Sequence, residues 1–186
     1  VTPGTRFYRG AVPGRFGFEV EAALQAGSSR YTALPEDTTN LRHLAGFVHG
    51  ELSYTFDTSW RTRLSLVYDH ATGDKDPTDD SMERFYTLFG ARRFDFGPTG
   101  IYGPLARSNL RSPGIRLDFY PGRRLQGLAR YRAAWLDSAR DRWVTTGIWD
   151  PAGESGTFIG HQLEGAARWW IRPGNINIEG GFAHLR

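Results

Sequence analysis

Arginine side chains recur at every second position in several stretches of this sequence, and they are the groups best suited to chemistry. Lys75 is the only lysine, so nearly all of the 23 Lys and Arg residues are arginine. A guanidinium group keeps its charge and presents a planar fork of donors that pairs with carboxylates. We predict that six arginines line a watery passage and attract the carboxylates of an anionic solute. They are Arg61, Arg63, Arg116, Arg130, Arg132 and Arg168.

Acidic residues share the same rows and would moderate the positive field. The predicted acidic lining residues are Glu19, Glu21, Glu51, Asp69, Asp118, Glu164 and Glu179. A four-residue turn at 172–175 would place Arg168 opposite Glu179. Transport needs contacts that are strong enough to admit a solute and weak enough to release it. For any single arginine, an ion pair that only braces the wall stays an open alternative.

Two further groups of charged residues lie in predicted loops. Arg92 and Arg93 would line the mouth of the passage or fold inward as a constriction, and both readings stay open. Asp74, Asp76, Asp79 and Asp80 resemble a calcium loop in composition, because calcium takes carboxylate oxygens. Their spacing lacks the glycine and terminal glutamate of an EF-hand. We therefore predict a solvated loop and no cofactor, with calcium binding as the alternative.

Signals for an enzyme are weak. The five histidines are scattered, without an HExxH or GxSxG pattern, and the absence of cysteine excludes a thiol nucleophile. Glu19 and Glu21 share one face of a strand and could suit a glycosidase, but acidic pairs on strands are common. The arginines are spread over several strands and face acids, unlike a nucleic-acid patch. We predict neither catalysis nor a nucleic-acid partner.

The stretch from Trp60 to His70 shows which elements must position the charges. Successive side chains of a strand point to opposite faces, so this stretch divides into two rows. One row holds Trp60, Thr62, Leu64, Leu66 and Tyr68, and the other holds Arg61, Arg63, Ser65, Val67 and Asp69. A soluble sandwich would bury the apolar row, whereas a transmembrane barrel would turn it toward lipid.

A tight turn at 57–59 predicts the register of the hairpin around it. The predicted pairs are Phe56 with Trp60, Tyr54 with Thr62, Leu52 with Leu64, Thr55 with Arg61 and Ser53 with Arg63. Both rows then match across the turn, and such matching fixes register.

Long and short connections alternate along the chain. We predict long loops at 28–40, 73–105 and 137–157, and short turns at 57–59, 121–123 and 172–174. Outer-membrane barrels combine short periplasmic turns with long outer loops in this way. Aromatic residues collect beside the short turns, where an interfacial girdle would lie. The sequence therefore predicts an all-β, antiparallel, up-and-down transmembrane β-barrel.

The chain is predicted to be only part of such a barrel. It contains about seven strands and a stub near Thr5–Arg9, too few to close a large barrel. We interpret residues 1–186 as a single domain and as a piece of a longer mature protein.

Four motifs carry a family resemblance. They are HLAGFVHGELSYTF (43–56), YDHATGDKDP (68–77), ERFYTLFGARRFDFGPTGIYG (83–103) and RSNLRSPGIRLDFYP (107–121). With these motifs the chain resembles the alginate export family of outer-membrane porins, over about Phe16 to His184. The resemblance implies a barrel of roughly eighteen strands in the bacterial outer membrane, with an arginine-rich lumen. It also implies passive export of an anionic, alginate-like polysaccharide, with membrane lipid and periplasmic export machinery as partners.

Two other functions remain open at this stage. One is a porin for small anionic solutes, and the other is a soluble β-barrel that binds a ligand. Uronate oligomers would block the ion current of a polysaccharide channel but not that of a porin for small solutes. Solubility without detergent would identify the second.

Overall fold

The structure, a computed structural model, describes residues 1–32, 34–87, 96 and 103–186. Every regular element in that part of the chain is a β-strand. The same residues contain no helix that is long and apolar enough to cross a membrane. The strands are β1 (Gly4–Arg9), β2 (Arg15–Ser29), β3 (Leu41–Thr55), β4 (Arg63–Ala71), β5 (Ser81–Met82), β6 (Leu110–Phe119), β7 (Leu125–Trp135), β8 (Phe158–Arg172) and β9 (Ile176–Leu185).

The strands form one open sheet in the order β1-β2-β3-β4-β6-β7-β8-β9. Neighbours on this path are antiparallel, so the predicted all-β, up-and-down arrangement is confirmed. The path corresponds to the predicted seven strands and the stub, and it is consistent with a partial barrel. The short β5, which pairs in parallel with β3, was not predicted, because two residues cannot show an alternating pattern.

The connections fall into two groups at opposite ends of the sheet. Short turns join β1 to β2, β3 to β4, β6 to β7 and β8 to β9, whereas long segments join β2 to β3, β4 to β6 and β7 to β8. Successive connections of an antiparallel meander lie at opposite ends of the sheet. We call these ends the turn end and the loop end. That the loop end faces the cell exterior stays a prediction.

The predicted register of the β3–β4 hairpin is wrong by two residues. Tyr54 pairs with Leu64 and Thr55 pairs with Arg63. The turn is longer than predicted, since β3 ends at Thr55 and β4 begins at Arg63. The amide of Phe56 donates to the carbonyl of Thr62 at 2.8 Å and closes this turn. Since the side-chain period of a strand is two, this shift leaves every residue of β3 and β4 on its predicted face.

The two faces of the sheet differ sharply in composition and in burial. The apolar face carries exposed large side chains, including Phe18, Val20, Leu52, Leu64, Leu66, Ile115, Leu117, Leu163, Trp169 and Ile178. The polar face carries buried polar side chains, including Ser53, Ser65, Asp69, Ser112, Asp118, Arg132, Gln162 and Glu164. This is the reverse of a soluble sandwich, in which apolar rows of facing sheets form the core.

Candidate functional site

The polar face near the turn end holds arginines that are paired with acids but remain partly exposed. Arg63 on β4 forms an ion pair with Glu51 on β3, and the hydroxyl of Ser65 donates to the same carboxylate at 3.1 Å. Arg116 on β6 pairs with Asp118, two residues along its own strand. About a third of each arginine side chain is exposed, at 30% for Arg63 and 32% for Arg116.

The outer strands of the sheet extend this row of pairs. Arg168 on β8 lies directly opposite Glu179 on β9, and Nη2 of Arg168 lies 2.7 Å from Oε2 of Glu179. This predicted pair is confirmed. At the other edge of the sheet, Arg6 on β1 pairs with Glu19 on β2 at 2.8 Å. Arg6 was not predicted, because the stub was too short to be assigned faces.

Glu21 lies between two basic neighbours on the polar face. Its cross-strand partners are Arg6 on β1 and His49 on β3. The register therefore brings this predicted lining residue close to positive charge.

Farther toward the loop end, two arginines and two acids form a buried cluster. Nη1 of Arg132 lies 3.5 Å from Oδ2 of Asp69, and Nε of Arg132 lies 3.4 Å from Oε1 of Glu164. Arg130 reaches the other oxygen of Glu164 at 3.4 Å. His49 Nδ1 lies 2.7 Å from the second oxygen of Asp69. Only 2% of the Arg132 side chain is exposed, so little of this arginine is accessible to a solute.

A stretch of chain between β4 and β6 covers this cluster. We call residues 72–87, 96 and 103–109 the covering segment. The guanidinium carbon of Arg132 lies 4.7 Å above the centre of the Phe96 ring. The carbonyl of Phe96 accepts a 2.7 Å hydrogen bond from the side chain of Gln162 on β8. Phe96 itself is buried, so the segment contacts the polar face directly.

Buried carboxamides attach the covering segment at two more places. Gln25 on β2 donates to the carbonyl of Tyr86 at 2.7 Å and accepts from its amide at 2.8 Å. Asn109 donates to the carbonyl of Ser138 at 3.1 Å and accepts from its amide at 2.7 Å. Each pair satisfies one backbone amide and one backbone carbonyl. Without these partners, burial of the two groups would cost free energy.

Sequence reasoning missed these three carboxamides because it searched for charges. A usable signal existed for two of them. Gln25 and Gln162 are neutral polar residues at the loop ends of polar rows, where an adjacent long loop could reach them.

Two apolar clusters complete the attachment of the covering segment. Phe47 and Ala71 from the sheet pack with Phe85 of the segment, and the rings of Phe47 and Phe85 lie 5.6 Å apart. Leu105 and Phe96 of the segment pack with Leu110, Ala134 and partly buried Ile159. These apolar side chains lie among polar ones because the segment supplies their partners.

Arg61 is not part of the polar row, which corrects the sequence prediction. β4 begins at Arg63, and Arg61 is an exposed turn residue with a φ of +43°. The longer turn places it beyond the last strand pair. Arg92 and Arg93 lie outside the described residues.

The four aspartates of the proposed calcium loop do not converge on one point. Asp76 and Asp79 instead accept hydrogen bonds from Thr78 and Ser81, which stabilise local turns. In the described part of the chain, no group of three or more acids and histidines has the arrangement of a metal site.

Asp74 points into the protein. Its amide donates to Asp141 at 2.9 Å, and Nε of Arg84 lies 2.8 Å from the same carboxylate. Burial raises the pKa of Asp74 to about 6, and the carboxylates of Glu83 and Asp141 act in the same direction.

Comparison with known proteins assigns the family. The chain matches the alginate export family over residues 1–185. It belongs to that family. A search of the curated proteins finds no match. Membership supports a role in alginate export and a transport class of protein rather than an enzymatic one.

The polar face near the turn end also contains an open cleft. A cleft of about 160 Å³ lies near the turn end of β6, β7 and β8, lined by Arg116, Asp118, Gln126, Arg168 and Glu179. Each arginine there already has an acidic partner, so an incoming carboxylate would compete for donors instead of meeting bare charge. Such a surface favours short-lived contacts with an anion.

Proposed function

We propose that this chain forms part of the wall of an outer-membrane channel through which an anionic, alginate-like polysaccharide passively leaves the cell. The observation that carries the proposal is the inverted burial of the sheet. Large apolar side chains are exposed on one face, while paired charges occupy the other. Outer-membrane barrels have this arrangement, with a lipid-facing apolar band and a polar interior.

The apolar face has the dimensions of a membrane-spanning band. From Leu125 to Trp135, β7 turns only Gly, Ala, Leu, Tyr and Trp toward this face. Ten residues rise about 33 Å along a strand, which corresponds to a height of about 25 Å at a tilt near 40°. That height matches the apolar band of known outer-membrane barrels.

Aromatic residues border this band at both ends. At the turn end, the rings of Phe16 and Tyr54 lie 4.9 Å apart, and Trp60 packs near Phe119. At the loop end, the rings of Trp135 and Phe158 lie 5.4 Å apart. Amphipathic aromatic rings favour the level of the lipid headgroups. The sequence indicated only the belt at the turn end.

The partly exposed arginines are the groups that would meet the substrate. Arg63, Arg116 and Arg168 expose between 30% and 41% of their side chains. Their acidic partners hold them in place and weaken each contact, so a polyuronate could move from one to the next. The covering segment packs on the same face toward the loop end and would narrow the passage there.

Ion selectivity tests the role of these arginines. In planar bilayers, we expect the intact protein to prefer anions, and the triple variant Arg63→Gln, Arg116→Gln, Arg168→Gln to lose most of that preference. Arg61→Gln is the matched control, because it removes one exposed arginine that lies off the polar row. An unchanged anion preference in the triple variant would contradict the arginine filter.

Substrate size and solubility test the two other functions. Uronate oligomers added to one side should block the small-ion current of a polysaccharide channel, and a porin for small solutes would stay open. A protein that stays monodisperse without detergent would contradict the membrane location itself.

A further inference from the structure

Basic and aromatic residues lie side by side at the loop end of the apolar face. His70 on β4 pairs with Arg111 on β6, Arg111 pairs with Trp135 on β7, and Trp135 pairs with Phe158 on β8. The four residues therefore form one row across four strands. Below this row, toward the turn end, alternate residues of the same strands are uncharged, from Leu64 to Tyr68 and from Pro113 to Phe119.

Arg111 is held in a defined orientation by Asp137. Nε of Arg111 lies 3.3 Å from Oδ1 of Asp137, and Nη2 donates to the backbone carbonyl of the same residue at 3.1 Å. His70 Nε2 also contacts Oδ1 of Asp137, at 2.9 Å, and the amide of Gly73 donates to Oδ2 at 3.0 Å. One carboxylate thus contacts two basic side chains of the row.

The guanidinium of Arg111 borders a cleft that opens on the apolar face. The cleft has a volume of about 270 Å³ and is lined by Tyr68, Arg111, Pro113, Trp135 and Thr157. Almost half of the Arg111 side chain is exposed, at 45%. The cleft therefore combines an oriented cation with two aromatic side chains.

We propose that this cleft binds the phosphate-bearing headgroup of an anionic lipid in the leaflet on the loop-end side. The proposal rests on the membrane location argued above. Arginine pairs with phosphate through short charge-assisted hydrogen bonds. Tyrosine and tryptophan at this level would contact the glycerol or sugar part of the headgroup, as rings at membrane interfaces do.

The surroundings of the cleft favour a lipid over free phosphate. Leu66 and Ile115 lie next to it, on the turn-end side, and expose 54% and 48% of their surface. Acyl chains attached to a headgroup in the cleft would lie along these side chains, and their burial is favourable. Free phosphate would gain nothing from that apolar surface.

Native mass spectrometry of the intact protein in detergent tests the proposal. The probes are lipid A and phosphatidylglycerol, with phosphatidylcholine as a zwitterionic lipid of similar size and inorganic phosphate as the headless anion. The variant is Arg111→Gln. Arg9→Gln is the matched control, because Arg9 lies at the turn end, opposite Phe18 of the apolar face.

We expect Arg111→Gln to weaken binding of the anionic lipids by at least about tenfold, the loss expected for hydrogen bonds to a charged group. Arg9→Gln should leave binding unchanged, and millimolar phosphate should not displace the lipid. Equal binding by phosphatidylcholine, equal losses in the two variants, or displacement by free phosphate would each overturn the proposal. If the protein conducts in bilayers but fails these binding tests, only the lipid site is refuted. If the protein is soluble without detergent, the membrane location itself is refuted.

Discussion

Arginines of the same polar face have different environments at the two ends of the sheet. Near the turn end, Arg63 and Arg116 are paired with acids and expose about a third of their side chains. Closer to the loop end, Arg132 is almost fully buried between two carboxylates and the ring of Phe96. The alternating pattern assigns all three to one face, but the covering segment decides which of them a solute could touch.

This difference implies that the exposed and the buried arginines of one face have different roles. A partly exposed pair is weak in water and can exchange partners, which suits a site that an anion must enter and leave. A buried pair contributes rigidity, because removing one member leaves the other charge buried without compensation.

The largest expected effect comes from Arg132. Arg132→Met would leave Asp69 and Glu164 buried without their shared cation, and we expect a loss of about 3–5 kcal/mol in the free energy of unfolding. Arg168→Met, at a partly exposed pair, should cost at most about 1 kcal/mol. Urea unfolding from lipid vesicles, followed by tryptophan fluorescence, measures both. Equal losses would show that the two regions do not differ as proposed.

A smaller effect is expected from Gln162, which attaches the covering segment to β8. Gln162→Leu removes the donor to the carbonyl of Phe96, and an unsatisfied buried carbonyl costs about 1–3 kcal/mol. We expect faster proteolysis within the covering segment and a higher single-channel conductance. Gln126→Leu, on the same face but in the open region, is the control. If Gln126→Leu raised the single-channel conductance as much as Gln162→Leu, the covering segment would not be the constriction.

The smallest effect concerns pH. Because the pKa of Asp74 is raised to about 6, its protonated form is favoured in the folded protein. The stabilisation is therefore complete below the ordinary aspartate pKa of about 4 and is lost as the pH rises through about 6. We expect the protection factors of the amides in residues 72–87, which compare the intrinsic with the observed exchange rate, to fall over that range.

Asp74→Asn should remove this pH dependence, because an amide does not titrate. Asp76→Asn should retain it, since hydrogen bonds from Thr78 lower the pKa of Asp76 below that range. Protection factors that fall equally in both variants would assign the titration to a different group.

Much of the fold could be predicted from the sequence, because alternation is a local property. Strand positions and faces follow from residues such as Leu64 and Ser65, which differ in polarity and are adjacent in sequence. Register is harder to predict, since a shift of two residues keeps every face intact. The β3–β4 hairpin was misassigned for this reason.

The site was predicted less completely, because exposure depends on contacts between distant residues. Nothing near Arg132 in sequence shows that Phe96 covers it, and nothing near Gln25 shows that Tyr86 binds it. By contrast, Arg168 and Glu179 were paired correctly because only a tight turn separates them. Sequence reasoning therefore found this pair across a tight turn, misplaced the register across the longer β3–β4 turn, and failed where a long loop supplies the partner.

The two attachments of the covering segment also limit the distance between two strands of the sheet. Gln25 on β2 holds Tyr86, and Gln162 on β8 holds Phe96. Ten residues of chain reach at most about 35 Å, so these two points on distant strands cannot separate further while both attachments persist. The length of chain between the two attachments thereby limits how far apart these points of β2 and β8 can move.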